Sequence, residues 1–462
     1  MGSFHRTGMQ VALAALLAGP LAASNAAEDA SEVGLEGTRL TPVGAIRAGN
    51  EAGTIPEWTG GLAQPPAGFE PGGPYIDPYA DDEILFTITA DNYKEYEGQL
   101  TEASIALFET YPEHYRMNIY PTRRSAAFPE YIYDATIQQA GKVRKAGERA
   151  IANADLPGIP FPAPQDGWEA MTSHSFQFWG GTRYTWDAQA IITYPDGDYT
   201  INRAIDHTLQ AHYLPVAEQP DDPFFKDAWW CRAREFVSPP RTAGQMWGGC
   251  AYRSNFDFDA YIYIPGQRRV RKAPEIGFYD SPSTGSDGML TSDQYSCYAH
   301  TGGDERYDHE LVGRVEKFIP YNSYKMAQPD VDFDAVVGKV VNPDLVRYEL
   351  HRNYKVVSTL REEYRHLLPK RVTYIDEDTW SCGSAAHYDK NGDIWRVSEV
   401  FLMNYYDVPT PFWWGDAHYD LVAGRWASTF GWSNGIGNGP DFTVPVETRW
   451  FTPQGLRERG MR

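Results

Sequence analysis

The chain has 462 residues, of which 42% are hydrophobic and 22% are charged, a balance typical of a soluble globular protein with a large core. Its formal net charge of −21 would be repelled by the phosphate backbone of a nucleic acid and by an anionic membrane surface, so neither is expected as a binding partner. The 42 glycines and 33 prolines indicate many turns, as a β-rich fold requires.

Residues 1–26 have the pattern of an export signal. His5 and Arg6 precede an apolar run, VALAALLAGPLA, and small residues then lead to a predicted cleavage site after Ala26. The run is too short to span a bilayer, and nothing later reaches the ~18 consecutive apolar residues of a membrane helix. The sequence therefore predicts an exported, periplasmic protein that does not span the membrane.

Residues 27–165 are predicted to form an extended N-terminal arm, rich in glycine and proline, followed by short helices. Thr101 is a predicted N-cap, and the helix that it begins should stop before Pro112. A second helix is predicted to end near Ala146, and Asp166 can cap a third.

Residues 166–420 are predicted to form an antiparallel β core, because their apolar residues alternate with period two. A two-residue loop at Asp196-Gly197 predicts a long hairpin in which Ile192 faces Ile201. The next hairpin surrounds the Pro-Gly pair of AYIYIPGQRRVRKAP, and its register stays open.

Two loop lengths are compatible with that Pro-Gly pair. A two-residue loop places Tyr261, Tyr263 and Val270 on one face of the hairpin. A three-residue loop instead places Arg269 and Arg271 beside both tyrosines.

The longest β pattern is RVTYIDEDTWSCGSAAHYDKNGDIWRVSEVF, residues 371–401. A two-residue turn at Asn391-Gly392 predicts a hairpin there, and Asp376 can cap the turn that precedes it. The predicted register makes three pairs: Ala386 with Val397, Tyr388 with Trp395, and Cys382 with Phe401.

Further strands are expected at residues 310–319 and 346–360, and a short helix at residues 452–460. Residues 421–462 are predicted to form a C-terminal extension packed on the core. The predicted fold class is α+β and β-dominated: a large curved antiparallel sheet with helices packed on its concave side and a long N-terminal arm.

Four cysteines suit an oxidising compartment. Cys231 and Cys250 flank two prolines almost symmetrically, so a hairpin would bring them face to face, and Cys297 and Cys382 form the second predicted pair. Separate buried thiols are the alternative. The sequence contains no CxxC pair, so no metal site is predicted.

Five segments resemble a family of exported Gram-negative proteins known only as a domain of unknown function: LTPVGAIRAGNEAGTIPEWTGGL, YPTRRSAAFPEYIYDAT, YIYIPGQRRVRKAP, VNPDLVRYELHR and RVTYIDEDTW with AHYDKNGDIWRVSE. That family is in turn similar to the periplasmic lipoprotein carriers LolA and LolB. The resemblance implies an incomplete antiparallel barrel wrapped around helices, with an apolar cavity for acyl chains. It also implies a resistance-nodulation-division-type exporter and an outer-membrane protein as partners, and it supplies neither catalytic residues nor a cofactor.

The predicted function is that of a periplasmic carrier or adaptor for a lipid-like hydrophobic molecule passing between an inner-membrane exporter and the outer membrane. The candidate lining comprises seven aromatic residues: Trp186, Tyr261, Tyr263, Tyr374, Trp380, Trp395 and Phe401. Ordinary core packing is the alternative for each. Candidate contacts for a lipid headgroup or a partner are Arg123, Arg124, Arg269 and Arg271, with a solvated strand face or internal salt bridges as the alternative.

Enzyme motifs are weak. The sequence contains no H-E-x-x-H motif and no P-loop. His387 and His418 lie beside acidic residues and are candidate general bases. Glu362-Glu363 is a carboxylate pair of the kind that acts on sugars, with a solvated turn as the alternative. A periplasmic hydrolase of envelope glycan or ester is the alternative function, and a purely protein-binding envelope module is a third. No catalytic residue is assigned.

Overall fold

The structure, a computed structural model, describes residues 28–180, 184–256, 258–274, 280–283, 285–294, 297, 305–437, 439–442 and 447–461. The predicted signal peptide and the side chains of residues 184–186 lie outside this description. The described α-helices are α1 Glu102–Thr110, α2 Glu130–Gln139, α3 Gly167–Ser175, α4 Phe333–Val336 and α5 Pro453–Gly460. None of them is long and apolar enough to cross a membrane.

Strands make up most of the regular structure in the described chain. The strands are β1 Phe86–Ile88, β2 Met117–Ile119, β3 Arg144–Lys145, β4 Ile151–Ala152, β5 Tyr184–Thr193, β6 Tyr199–Leu209, β7 Ala228–Ser238, β8 Met246–Tyr252, β9 Phe258–Ile264, β10 Arg269–Lys272, β11 Tyr307–Pro320, β12 Tyr348–Leu360, β13 Lys370–Asp376, β14 Cys382–Tyr388, β15 Ile394–Tyr405, β16 Thr410–Asp420 and β17 Arg425–Ala427.

Fifteen of these strands form one sheet, in the order β1-β2-β12-β13-β14-β15-β16-β17-β5-β6-β7-β8-β9-β10, with β11 paired to β12. Neighbouring strands are antiparallel except at a single bridge, Ile119 with Tyr348, which joins β2 to β12 in parallel. The order ends at β1 and β10, so the described strands form an open sheet. The predicted β-dominated fold class, with a large antiparallel sheet and few helices, is confirmed.

The segment between β10 and β11 crosses one face of this sheet. Its described residues, 280–283, 285–294 and 297, are termed the strap, and the face that they cross is termed the strap face. The carbonyl of Gly285 accepts a hydrogen bond of 2.8 Å from Asn202 Nδ2 of β6. Leu290 packs in a cluster with Ile192 of β5. The strap therefore covers the middle of the sheet.

Helix α1 covers the opposite face of β13–β15, which is termed the α1 face. Thr101 Oγ1 lies 3.0 Å from Ser384 Oγ of β14, and Glu102 accepts a hydrogen bond from the Tyr374 hydroxyl of β13. Helix α3 belongs to a hydrophobic cluster with Tyr354 of β12, whose side chain points to the strap face. Both faces of the sheet are therefore contacted by helices.

Side-chain caps confirm the three predicted helix starts. The caps are Thr101 Oγ1 to Ser104 N at 3.1 Å, Asp166 Oδ1 to Glu169 N at 2.8 Å, and Thr452 Oγ1 to Gly455 N at 3.1 Å. The predicted helix end near Ala146 is wrong. Helix α2 ends at Gln139, because the chain leaves the helical conformation at Ala140 and Gly141 then takes a left-handed φ of +70°.

The β5–β6 hairpin lies one residue out of its predicted register. Ile192 pairs with Thr200 and Ile191 with Ile201. The prediction assumed two residues with positive φ, but in this turn only Gly197 has one, and the loop closes through a hydrogen bond from Tyr194 N to the carbonyl of Asp198. Gly197 follows residues in right-handed conformations and makes the loop longer than the predicted two residues. Every pair of the β5–β6 ladder is therefore shifted by one residue from the prediction.

The β14–β15 hairpin has the same turn but keeps most of its predicted register. In this loop only Gly392 has a positive φ, and Tyr388 pairs with Ile394 rather than Trp395. A bulge between His387 and Tyr388 then restores the pairing of Ala386 with Val397. The predicted pair of Cys382 with Phe401 does not form, because the β14–β15 ladder ends at Ser384 and Glu399. Asp376 caps its own turn as predicted, accepting hydrogen bonds from Thr379 N at 3.0 Å and Thr379 Oγ1 at 2.8 Å.

The β9–β10 loop has four residues and pairs Tyr263 with Val270. Tyr261, Tyr263 and Val270 therefore share one face, as the shorter of the two predicted loops required. Arg269 and Arg271 occupy the other face. Loops of two and of four residues both contain an even number of residues, so they place the same side chains of β10 on each face.

Both predicted disulfides are present. Cys231 and Cys250 are cross-strand partners in β7 and β8, with Cα atoms 4.0 Å apart. Cys297 of the strap is bonded to Cys382 of β14 across a sequence separation of 85 residues. Closing a loop of that length lowers the entropy of the unfolded chain, which raises its free energy by on the order of 4 kcal/mol. The second bond fastens the strap to the sheet.

Replacing Gly392 by alanine should lower the free energy of unfolding by about 1–2 kcal/mol, since φ is +89° and nothing else lies within 4 Å of the added Cβ. The matched control is Gly266→Ala in the β9–β10 loop, where φ is not left-handed and the space is equally open, so the change should stay below about 0.5 kcal/mol. Urea unfolding measures both. Equal losses would contradict the turn described above.

Candidate functional site

A half-buried apolar patch lies on the strap face of β7–β9. It consists of Trp230 of β7 with Phe258 and Ile262 of β9, which the ladder brings to the same side of the sheet. The rings of Trp230 and Phe258 stack with centroids 5.0 Å apart, and Trp247 meets Phe258 edge-on at 6.0 Å. Trp230, Phe258 and Ile262 are termed the apolar patch, and Trp247 borders it. The apolar patch borders the main hydrophobic core of the protein.

Two arginines of β7, Arg232 and Arg234, lie between Trp230 and Phe236 on the same face. Asp206 of β6 accepts hydrogen bonds from Arg234 Nε and Nη2, both at 2.7 Å, and from Arg232 Nη2 at 2.5 Å. All three side chains are buried. Burial would raise the pKa of Asp206, but the charges and hydrogen bonds of the two arginines outweigh it and lower that pKa.

The strap is fixed to the sheet by buried polar contacts. Asp293 accepts hydrogen bonds of 2.6 Å from Arg371 Nη2 of β13 and from Thr291 Oγ1. Gln294 Oε1 accepts one of 2.9 Å from Arg396 Nη1 of β15. Burial would raise the pKa of Asp293, but its partners, Arg371 first among them, hold it well below the usual range. The strap therefore carries the counter-charge for an arginine of the sheet.

A chain of hydrogen bonds crosses the strap face of β14–β16. Ser398 Oγ lies 2.7 Å from His418 Nδ1 and 3.0 Å from His387 Nε2, and His418 Nε2 lies 3.1 Å from Asp416 Oδ2. Asp416 also accepts a hydrogen bond of 2.7 Å from Thr429 N. All four side chains of the chain itself are buried. Burial, with Arg371 and His418 nearby, lowers the pKa of His387 well below its ordinary value.

A buried carboxyl group lies on the α1 face at Glu399. Its Oε1 accepts hydrogen bonds from the hydroxyls of Tyr115 at 2.9 Å and Tyr348 at 2.8 Å. Burial raises the pKa of Glu399 to about 7, although the tyrosine hydrogen bonds oppose the shift. This group can change its charge near neutral pH.

One cluster of the described residues has the composition of a metal site. Ligand atoms of His351, Asp376 and Asp378 lie within 4.8 Å of one another. Arg124, however, occupies both Asp378 oxygens, at 2.7 and 2.9 Å. Burial disfavours the charged imidazole, but hydrogen bonds and charges from Asp376 and Glu349 outweigh it and raise the pKa of His351 to about 9. A protonated histidine and a paired carboxylate suit an ion-pair network better than a metal ion.

This ion-pair network fastens the N-terminal arm to the end of the sheet. Arg124 Nη1 donates to the carbonyl of Arg47 at 3.1 Å, and Glu377 Oε2 accepts from Ile46 N at 3.2 Å. The indole of Trp380 donates to the carbonyl of Val43 at 2.9 Å. The charges of the ion-pair network therefore have a structural role, which is to hold the N-terminal arm on the sheet.

The family model described as "Protein of unknown function (DUF1329)" matches residues 87–457. The uncharacterized protein PA3922 of Pseudomonas aeruginosa is 36% identical over 455 residues, which cover 97% of this chain and 96% of that protein. The chain belongs to the DUF1329 family.

Solved structures with distant likeness include a DUF1329 family protein from Desulfovibrio piger, with 14% identity, a TM-score of 0.40, and coverage of 63% of this chain and 99% of that one. A domain from Vibrio parahaemolyticus assigned to the outer membrane lipoprotein-sorting proteins has 12% identity, a TM-score of 0.41 and coverage of 63% and 98%. The LolA superfamily protein NE2245 from Nitrosomonas europaea has 10% identity, a TM-score of 0.33 and coverage of 62% and 97%.

Four of the seven predicted lining residues of this DUF1329 chain lie on the α1 face. Tyr374 is bonded to Glu102 of α1, and Phe401 packs on Trp432 with ring centroids 5.6 Å apart. Tyr261 and Tyr263 contact α5 instead, in a cluster with Leu456. The four residues therefore share a face but divide between two separate packing clusters.

The other three predicted lining residues are also apart. Trp380 stacks on Tyr354 at 5.0 Å, near the arm. Trp395 is half-buried and donates to Asp420 Oδ1 at 3.1 Å. The backbone of Trp186 pairs with Asp206 on the strap face, next to the buried arginines.

The four predicted headgroup arginines occupy four different environments. Arg123 is half-exposed and paired with Asp82 Oδ1 at 2.6 Å, whereas Arg124 is buried in the ion-pair network. Arg269 lines a groove of about 800 Å³ between the β9–β10 loop and α5. Arg271 is exposed on the strap-face side of β10.

Sequence reasoning missed Trp230, Phe258, Arg232 and Arg234. The signal was the alternation in AWWCRAREFVS, where aromatic and arginine residues take every second position. It also missed that GWSNG, residues 431–435, matches the G-x-S-x-G pattern. The Ser433 hydroxyl donates to the carbonyl of Asp187 at 3.0 Å, and among the described residues no helix begins directly after the motif, so the motif is not a nucleophile elbow here.

Replacing Glu399 by glutamine should stabilise the protein at alkaline pH. The folded pKa is about 7 against an ordinary 4.5, so the wild type loses stability as pH rises through this window, while glutamine does not titrate. The variant should gain on the order of 2 kcal/mol relative to the wild type between about pH 4.5 and pH 8. Urea unfolding across this range measures the difference, with the exposed Glu363→Gln as control. Parallel pH profiles for Glu399→Gln and the wild type would contradict the assignment.

Proposed function

We propose that the protein binds a lipid-like hydrophobic molecule on its strap face and carries it through the periplasm. The apolar patch supports this proposal, because Trp230, Phe258 and Ile262 adjoin the core yet remain partly exposed. An acyl chain laid on them would gain ~0.8 kcal/mol for each methylene group removed from water. Carriage of such a chain needs no catalytic group.

The periplasmic location belongs to the same proposal. Two disulfides suit an oxidising compartment, and they agree with the export signal predicted for residues 1–26. A carrier must also receive and deliver its ligand. We therefore propose as partners the resistance-nodulation-division-type exporter and the outer-membrane protein that the family resemblance implied.

Fluorescence titration with cis-parinaric acid tests the proposal. The wild type should bind the probe, and Ile262→Ser should weaken binding by about tenfold, since a polar side chain then replaces an aliphatic one in the patch. The matched control is Tyr261→Ser, the half-buried neighbour in β9 that faces α5, and it should leave affinity unchanged. Failure of the wild type to bind, or equal losses in both variants, would refute a site on the strap face.

A hydrolase is the second candidate function, and the Ser398–His418–Asp416 chain favours it. Its order of hydroxyl, imidazole and carboxylate is that of an activated serine. It ranks second because all three side chains are buried and Ser398 lies within the β15 ladder, whose backbone N–H groups are committed to strand pairing.

An ester and glycan panel separates the two functions. Turnover of p-nitrophenyl esters that is lost in Ser398→Ala and His418→Gln would favour the hydrolase. Turnover that survives Ser398→Ala, or no turnover on any substrate, would eliminate this serine as a nucleophile.

A further inference from the structure

We propose that the groove between the β9–β10 loop and α5 binds an extended acidic segment of a partner protein, whose carboxylates are bound by Arg268, Arg269 and Arg457. This inference goes beyond the hydrophobic ligand, because α5 packs on the face of β9 opposite to the apolar patch. It assigns both the surface and the chemistry of the segment that occupies it.

The groove has two walls and a volume of about 800 Å³. One wall is the β9–β10 loop with the start of β10, which contributes Arg268, Arg269 and Val270. The other wall is α5, which contributes Arg457 and, just after the helix, Met461. All three arginines are exposed, and Val270 and Met461 add aliphatic surface. The groove can therefore contact both charged and apolar side chains of one bound segment.

The charge of the groove is the first argument. Among the described residues, no carboxylate forms a salt bridge with any of the three arginines. The acidic side chain in the lining, Glu458, accepts a hydrogen bond of 2.9 Å from Gln454 Nε2 of the same helix. Three guanidinium groups and one carboxylate give the lining a net charge of +2, whereas the whole chain carries −21. The complement of this groove is a segment that carries several carboxylates.

The cations next to the groove in sequence are the second argument, because they have acidic partners within the chain. Arg459 of α5 contacts Glu235 of β7 at 3.0 Å, and Lys272 of β10 contacts Asp259 of β9 at 2.7 Å. The chain therefore compensates these neighbouring cations internally, while the three guanidinium groups of the groove face solvent.

The rigidity of the two walls is the third argument. Leu456 of α5 packs with Tyr263 of β9, whose hydroxyl donates to the carbonyl of Gly460 at 2.6 Å. In the other wall Arg268 has a left-handed φ of +50°, a conformation that glycine adopts without strain and an L-residue does not. The loop thus keeps an arginine at the groove where glycine would suit the backbone better. Because the walls are formed in advance, binding does not have to order them.

The free edge of β10 favours an extended segment as the occupant. Among the described strands, β10 is the outermost at this end of the sheet. Ala273 N donates to the carbonyl of Ala260 at 2.8 Å, so these residues form a bonded pair of the ladder. Bonded and non-bonded pairs alternate, so the N–H and C=O of Val270 point away from β9. A segment added as a strand can bond to that edge and place its carboxylates at the arginines.

A protein segment fits this surface better than a membrane does. The groove is concave, so it admits a chain but not the surface of a bilayer. The net charge of −21 would also repel an anionic bilayer before a local cluster of three arginines reached it.

The test uses a fluorescein-labelled peptide in which glutamate alternates with valine, and the same peptide with glutamine in place of each glutamate. The wild type should bind the acidic peptide about tenfold or more tightly than the neutral one, and the affinity should fall as salt is added. Arg457→Glu should remove this preference, because it reverses a charge in the groove. The matched control is Lys390→Glu in the exposed β14–β15 turn, which changes the net charge equally and should keep the preference.

Arg268→Gly tests the loop wall with a variant that should fold. Glycine relieves the left-handed φ, so the midpoint of urea unfolding should be unchanged or higher than in the wild type. Affinity for the acidic peptide should nevertheless fall by about threefold or more, since one charge is lost. A stable variant with wild-type affinity would overturn the assignment of this wall.

The remaining outcomes separate the acidic segment from other occupants. Equal affinity of the wild type for the two peptides, or a preference that survives Arg457→Glu, would overturn the proposal. Displacement of the acidic peptide by millimolar inorganic phosphate at constant ionic strength would overturn the segment in favour of a free anion. Binding of phosphatidylglycerol vesicles without binding of the peptide would overturn it in favour of a membrane. Arg457→Glu should bind cis-parinaric acid as the wild type does, so the groove and the hydrophobic site fail independently.

Discussion

Each strand from β12 to β9 belongs to one continuous sheet, and its side chains must alternate between two faces with different surroundings. On the α1 face this alternation buries Tyr374 and Phe401 against helix and core. On the strap face it buries Arg371, Ser398 and Arg234, which need polar partners. The strap supplies some of those partners, and it is fastened by a disulfide and an ion pair. The arrangement of charge in the protein follows from this alternation.

The buried arginines show how the chain compensates charge. Arg371 has Asp293, and Arg124 has a bidentate contact with Asp378 beside further carboxylates. In the Asp206 cluster one carboxylate accepts hydrogen bonds from two guanidinium groups, those of Arg232 and Arg234. It is also the cluster that adjoins a half-exposed aromatic surface.

Local signals in the sequence were sufficient for the parts of the fold that local chemistry determines. Thr101, Asp166 and Thr452 each cap a helix where predicted, because a cap depends on residues within one turn. The disulfide of Cys231 with Cys250 followed from their positions around a turn. The β-dominated class followed from the period-two pattern. None of these depends on distant parts of the chain.

Register and face assignment depend on more than local signals. The turns at Gly197 and Gly392 have the same conformation, but only the second hairpin has a bulge that restores the expected pairing. No feature of either turn encodes that bulge. The prediction of the lining residues failed for the same reason. Tyr261 and Tyr263 are aromatic residues in a strand, as predicted, but helix α5 packs on the face that they occupy. The aromatic residues of β7 and β9 that face the strap could be identified only once the register was known.

Photolabelling tests the central claim most directly. The wild-type protein is loaded with a photoreactive fatty acid, irradiated and digested, and the labelled peptides are identified by mass spectrometry. The account predicts labels on β7 and β9, in peptides that contain Trp230, Phe258 or Ile262. Labels confined to the groove beside α5, or to residues of the α1 face such as Tyr374, would contradict it.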